Sequence, residues 1–259
     1  MYKLLIVGLS LLSISTLVSA EEARPQAVPR VEEGLHGSVG LLAFARSQPY
    51  KGMNGNLLLI PALNIEKSGF YLRGITAGYH LLSFKQRSSI DLILRPRLVG
   101  YRADDGGEAF QGMHNRSDSL HGGLSANMQF DSLKLNIDAL TDLLGKSKGQ
   151  EVSASVGNAF RLDNALSITP SIGLKWQSEK YVDYYYGVTP QEASLIRPLY
   201  KGKSVLNYTA GLNVNYLLNK QSHLFAQFEY ERLGSEITDS PLVEDNKIMR
   251  FYLGYGWHF

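Results

Sequence analysis

The segment Leu166-Ser167-Ile168-Thr169-Pro170-Ser171-Ile172-Gly173-Leu174-Lys175-Trp176-Gln177 decides the fold. Its even positions are apolar throughout, and its odd positions are small, polar or charged. A period of two over that length is the signature of a strand with one apolar face. The same alternation runs through Leu120–Phe130 and Leu206–Tyr216, and less perfectly through Ile90–Leu98, Leu133–Leu143, Val152–Leu162 and Leu224–Tyr230. These segments exceed the ~5–6 residues of an ordinary strand and match the ~9–11 of a tilted membrane crossing. Aromatic residues gather at their ends (Tyr101, Phe130, Phe160, Trp176, Tyr216, Tyr230), as an interfacial girdle requires. A soluble sandwich accounts for the alternation but for neither the length nor the girdle.

The links between segments alternate short and long. Asp131-Ser132, Asp163-Asn164 and Asn219–Ser222 are tight turns, whereas Arg102–Asp118, Gln177–Lys203 and Gly234–Asn246 are long and polar. That is the meander of an outer-membrane barrel, with tight periplasmic turns and larger surface loops. Only a closed sheet leaves no unpaired backbone in hydrocarbon. The expectation is therefore an all-β, closed antiparallel transmembrane barrel over residues 34–259. Twelve crossings are expected: 35–46, 56–66, 70–76, 77–84, 89–101, 119–130, 133–144, 150–162, 165–177, 204–218, 222–233 and 247–259. The count depends on splitting Phe70–Phe84 near Ala77-Gly78, which an even strand number demands; ten strands is the fallback. The surface loops are then roughly 47–55, 102–118, 145–149, 178–203 and 234–246.

Both ends of the chain fit this reading. Met1–Ala20 carries Lys3, an apolar run from Leu4 to Leu12 and Val18-Ser19-Ala20 before Glu21-Glu22, the pattern of a secretory signal peptide. Residues 21–33, with Pro25 and Pro29 and mixed charge, read as a disordered periplasmic lead. No later run of ~18 apolar residues predicts a membrane helix. At the other end, Phe251, Leu253, Tyr255, Trp257 and Phe259 form an aromatic-apolar stripe ending on a terminal Phe. Such an ending resembles the signal read by the barrel-assembly machinery, which becomes an expected partner beside outer-membrane lipid.

Composition narrows the chemistry. With Lys+Arg 26 against Asp+Glu 24 the net charge is +2, which excludes nucleic acid as the main partner. The absence of Cys excludes thiolate metal sites, a Cys nucleophile and disulfides. The six His are scattered, and neither Gly-x-Ser-x-Gly nor His-Glu-x-x-His occurs. Asp104-Asp105 near His114 reads as a solvated loop. Gly34–Gly40 enters a strand and lacks the Lys-Ser/Thr of a phosphate loop. No catalytic residue, cofactor or metal site is expected, and the chain reads as a non-enzyme. The inward face collects Asp91, Arg95, Arg97, Lys134, Asp138, Asp142, Glu151, Arg161, Lys175, Glu229, Glu231 and Arg250. Mixed signs in a narrow bore favour a paired network over a charge-lined path.

The long link after Trp176 places Tyr181, Tyr184, Tyr185, Tyr186 and Gly187 close together. It is too apolar for a free loop, so it packs on the barrel mouth or contacts a partner. Thr189-Pro190-Gln191-Glu192 suits a helix start, with Thr as cap and Glu at the third position.

Tyr184-Tyr185-Tyr186-Gly187-Val188-Thr189-Pro190-Gln191-Glu192-Ala193 closely resembles the MipA/OmpV family of outer-membrane proteins. The same resemblance covers Arg197-Pro198-Leu199-Tyr200, Asp239-Ser240-Pro241-Leu242-Val243 and the ending 253–259; weaker echoes are Pro49–Gly52 and Phe70–Tyr79. Residues 102–118 depart from the family pattern, so surface-loop specificity is not carried over. The resemblance implies a scaffold that joins a murein-degrading lytic transglycosylase to a murein-synthesising penicillin-binding protein. Porin-like or osmoregulatory channels and surface adhesins are the alternatives it leaves open. The family offers no agreed catalytic residues, and none is transferred.

Overall fold

A computed structural model describes residues 35–84 and 88–259. The signal peptide and the lead at 21–33 lie outside the described residues. Twelve strands build the wall: β1 His36–Arg46, β2 Asn56–Lys67, β3 Phe70–Arg73, β4 Thr76–Phe84, β5 Ser88–Arg97 and β6 Ser119–Phe130. β7 Leu133–Asp142, β8 Gln150–Asn158, β9 Leu166–Gln177, β10 Val205–Leu217, β11 Ser222–Arg232 and β12 Lys247–His258 complete it. Phe160–Arg161 continues β8 along β9. Each strand pairs antiparallel with the next. β1 then pairs with β12 from Ser38↔His258 to Arg46↔Arg250, which closes the sheet. No described helix is long and apolar enough to cross a membrane, which says nothing against crossing with strands.

The outward face is the apolar one. Leu41, Leu92, Leu124, Ile137, Val152, Ile172, Leu212, Phe228 and Leu253 are all exposed. In water such a surface would be untenable; in a bilayer it is the solvated face. Tyr208 and Trp176 lie at one end of this band, and Phe130, Phe160, Tyr216, Trp257 and Phe259 at the other. The terminal stripe Phe251-x-Leu253-x-Tyr255-x-Trp257-x-Phe259 is therefore lipid-facing wall.

The hairpin within 70–84 turns earlier than the sequence reading placed it. Gly74, at φ 58, and Ile75 make the turn, so β3 is a four-residue stub rather than 70–76. Ala77 and Gly78 instead lie inside β4, where Gly78 has a packing task. A Cβ there would fall 2.2 Å from the Tyr71 ring, so only glycine lets that tyrosine lie across the hairpin. A register shift between His80 and Leu82 then re-aims β4.

An arginine placed in the lipid-facing stripe should be costly, and one facing the bore should not. Leu253→Arg is expected to lower unfolding stability in lipid vesicles by about 2–4 kcal/mol. Asn213→Arg, on an inward position of β10, should stay within about 1 kcal/mol. Urea titration followed by the unboiled-versus-boiled gel shift reads both.

Candidate functional site

Two features give this barrel its chemistry: a polar network inside the bore and a folded cap over its surface mouth. The network follows from strand parity, which turns every second residue inward. Arg97 on β5 ion-pairs with Glu151 on β8, reaching past β6 and β7. Glu151 accepts from Gln177 Nε2 at 3.3 Å, and Asn207 Nδ2 donates to Gln177 at 3.3 Å and to Glu231 at 2.9 Å. Glu231 also takes Lys175 Nζ at 2.7 Å and Arg250 at 2.9 Å, while Arg250 reaches Glu229 at 2.8 Å. A second cluster joins Arg95 to Asp138 at 2.8 Å, and a third gathers His80, Tyr71 and Asn127 on Asp91.

Most of the inward charges named from the sequence are thus brought together in pairs. Lys134 and Arg161 are not. Both are exposed near the periplasmic end, and neither has an ion-pair partner among the described residues. Asp142 stays local, accepting from Ser119, Ser147 and the backbone that follows β7.

The cap is built from the long links. α1 (Glu179–Tyr186), a kinked 3-10 helix (Ala103–Phe110) and α2 (Ser235–Thr238) converge on one apolar core. Tyr181, Tyr185 and Tyr186 are buried in it with Tyr50, Tyr101, Phe110, Ile237 and Leu242. Tyr50 stacks on Tyr186 at 5.4 Å and meets Tyr101 edge-on at 4.9 Å. Tyr184 is half-buried; its hydroxyl accepts from the Ser117 N–H at 2.9 Å. Gly187 ends α1 where a Cβ would strike the Asp183 carbonyl, and its N–H caps that same oxygen at 2.9 Å. The exposed apolar side chains of this link are instead Leu195, Ile196 and Leu199.

A buried ion pair locks the cap. Glu192 is fully buried and accepts from Arg116 Nη2 at 3.0 Å, the His114 N–H at 3.0 Å, and the Thr189 N–H and hydroxyl at 3.1 and 2.9 Å. Arg116 Nε also donates to the Tyr184 carbonyl at 2.6 Å. Arg197 adds the carbonyls of Ala109, Gln111 and Glu192, which fastens the 3-10 helix to the same knot. Burial pushes the Glu192 carboxyl up, but Arg116 and the two backbone donors outweigh it and hold it well below the usual carboxylate range. Burial raises the Tyr186 phenol to about 12.

The expected helix at Thr189 does not form. Only half of the capping box is made: Glu192 Oε2 accepts from the Thr189 N–H, but the Thr189 hydroxyl donates to the same carboxylate and does not cap the Glu192 N–H, and the chain makes one turn and leaves. His114 bonds Glu192 and not Asp104-Asp105; Asp104 lies exposed beside Arg102. Sequence reasoning did not single out Arg116, Glu192 or Arg197 as a unit. Two of the three sit inside the family-like motifs, which was the available signal. No group of three His, Cys, Asp or Glu residues among the described residues is placed to hold a metal.

The family model for MltA-interacting protein MipA matches residues 39–259. The chain belongs to the MipA family. Among its relatives, the MltA-interacting protein of Escherichia coli (strain K12) is 28% identical over 243 residues, covering 91% of this chain and 93% of that one. The outer membrane protein OmpV of Vibrio cholerae is 28% identical over 140 residues, 54% of each chain. Among solved structures, the COG4313 outer membrane channel of Pseudomonas putida F1 aligns with a TM-score of 0.43 at 12% identity, over 90% of this chain and all of that one. With the lipid-facing wall and these relatives, this MipA-family chain is an outer-membrane barrel.

The cap's lock should be acid-sensitive. Glu192 has a lowered folded pKa, so its contribution is fully present above the unfolded value of ~4.3 and is lost as pH falls below it. Cap cleavage by an acid-active protease should rise below about pH 4 while the strands stay protected. Glu192→Ala, which strands Arg116, should cost about 3–5 kcal/mol of cap stability. Proteolysis at pH 7 reads that loss, and an uncut cap would refute it.

Proposed function

We propose that this barrel is a non-enzymatic membrane platform that holds murein enzymes at the outer membrane through its periplasmic end. The observation that carries this reading is the braced and capped bore. Arg97–Glu151 and the Lys175–Glu231–Arg250 cluster project into it, and the tyrosine-rich cap packs at its mouth. A barrel so braced has its remaining chemistry on its ends. The relative named as MltA-interacting protein supports a murein-enzyme partner; the family resemblance implies a lytic transglycosylase as the first and a penicillin-binding protein as the second. At the periplasmic end, Lys134 and Arg161 are cations that the barrel itself does not use.

Immobilised, refolded barrel should retain a lytic transglycosylase of the same organism. Lys134→Glu with Arg161→Glu should weaken retention about tenfold, on the order of 1.4 kcal/mol. Unchanged retention by this double variant, with the gel shift intact, would remove the periplasmic rim as the docking surface.

A small-solute channel is the second reading, favoured by the hollow ends. A cavity of about 740 Å³ lies at the surface mouth, and one of about 580 Å³ lies at the periplasmic end beside His36, Arg73 and His258. The platform reading expects no discrete current steps from the pure protein in planar bilayers. Regular steps that persist in independent preparations would favour the channel instead.

A further inference from the structure

The barrel wall has an opening within its apolar band. β3 reaches only from Phe70 to Arg73, so it pairs with β2 only between Asn64 and Lys67. The hairpin ends at Gly74-Ile75, where the Gly74 N–H bonds the Leu63 carbonyl at 2.7 Å. Above that level β2 continues as far as Asn56 and β5 as far as Arg97, yet no ladder joins them among the described residues. Over the gap, the link at Gly52-Met53 meets Gly106 of the cap. The result is a window bounded on all four sides. It runs about 20 Å along β2 at ~3.3 Å per residue, and three strand spacings of ~4.8 Å put its base about 14 Å across.

Hydrogen-bond parity shows which backbone groups face this window. The Ser47 N–H bonds the Met249 carbonyl, so odd residues of β1 face β12 and even residues face β2. By the same register the even residues of β2 bond to β1, which leaves Leu57, Leu59 and Pro61 facing the gap. Opposite, the Leu143 N–H bonds the Leu120 carbonyl; even residues of β6 therefore face β7, and odd residues of β5 bond to β6. Pro96 of β5 and Leu98, just past its end, thus face the gap from the other side. Proline stands on both rims, at positions where an N–H would otherwise be left unpaired.

The window opens on lipid outside and on apolar lining inside. Leu57 and Leu59 are 75% and 72% exposed and share a level with Phe251 and Leu253 of the lipid-facing stripe. Inward, Leu58 and Ile60 stand beside Leu42 and Phe44 and make an apolar lining on this side of the bore. Behind the upper window lies Arg46, a buried cation with no ion pair among the described residues. One of its Nη atoms donates to the Leu98 carbonyl at 2.7 Å, and its Nε is buried without a hydrogen-bond partner.

We propose that this window is a lateral portal that takes the acyl chain of an anionic outer-leaflet lipid, with Arg46 as the counter-charge of its head group. The slot is continuous with the bilayer, so the bilayer supplies its occupant. A partner strand fits the rims poorly, because Pro61 and Pro96 offer no donors where a ladder needs them. An acyl chain needs none. The buried, unpaired guanidinium selects for negative charge.

The chain has no Cys, so single cysteines give clean labels. Leu58→Cys on the inner side of the window, Leu57→Cys on the lipid side and Thr209→Cys, inward on fully paired wall, would each carry a fluorophore. The full-length proteins would be refolded into vesicles of phosphatidylglycerol or phosphatidylcholine with brominated acyl chains. The label at 58 should be quenched within about twofold of that at 57, and at least threefold more than that at 209. Its quenching should be stronger in phosphatidylglycerol, and Arg46→Gln should abolish that preference while the gel shift shows an intact barrel. Quenching at 58 no greater than at 209 overturns the portal. Equal quenching in the two lipids overturns the assignment of Arg46. Disulfide-linked pairs of a Leu59→Cys variant would show the edge paired between two copies, and would overturn lipid as the occupant.

Discussion

The constraint behind every other feature is that backbone N–H and C=O groups in hydrocarbon must be paired inside the protein. The β1–β12 ladder meets it by joining the ends of the described sheet along most of both strands. Once the sheet is closed, strand parity assigns every side chain to lipid or to the bore. The apolar stripe from Phe251 to Phe259 follows from that, as do the inward positions of Arg97, Glu151 and Glu231. The register is fixed at high cost. A slip of one residue would put Arg250 and Glu231 into lipid and Leu253 into a polar network.

Closure leaves a second problem, since the bore of a closed sheet this wide must be filled or left wet. The chain fills it largely with paired charge, beside a small apolar cluster of Tyr71, Ile93 and Leu140. Inward-facing charges here are partnered mostly across strands that are not neighbours: Arg97 with Glu151, Arg95 with Asp138, Lys175 with Glu231. Such pairs act as struts. Each buried charge is expensive alone, so any motion that parts two walls of the bore is resisted by the cost of leaving one unpaired. The cap repeats this arrangement in the surface loops, where Glu192 and Arg116 hold two links to one point.

The wall was legible in the sequence because period two is a local property, written in residues such as Leu166–Gln177. The even strand count placed a turn within Phe70–Phe84, but the turn lies at Gly74-Ile75 and not at Ala77-Gly78. The sequence signal there conflicts with itself: Gly78 looks like a turn glycine, and its real task is to make room for Tyr71. The inward charges were legible as a set and not as pairs, since pairing depends on how far a side chain reaches across the bore. The cap was legible only as a surplus of tyrosine needing cover. Its lock joins residues 116, 192 and 197 across two links, and no periodicity records such a contact.

The stub strand β3 breaks the rule from which the fold begins, and its surroundings show the break being managed. A full-length β3 would cover the edge of β2, and the chain has the residues for one. Ile75, Thr76 and Ala77 would serve in a strand, yet Gly74 turns the chain back after four residues. The exposed rims then carry proline on both sides, and Arg46 crosses behind the gap to take up the Leu98 carbonyl. A wall shortened by accident would leave donors and acceptors facing lipid at several kcal/mol each. Here two of those donors are absent by residue choice and one acceptor is satisfied from inside. That compensation is local to the window, which separates it from the uniform closure elsewhere and makes it a built feature of this barrel.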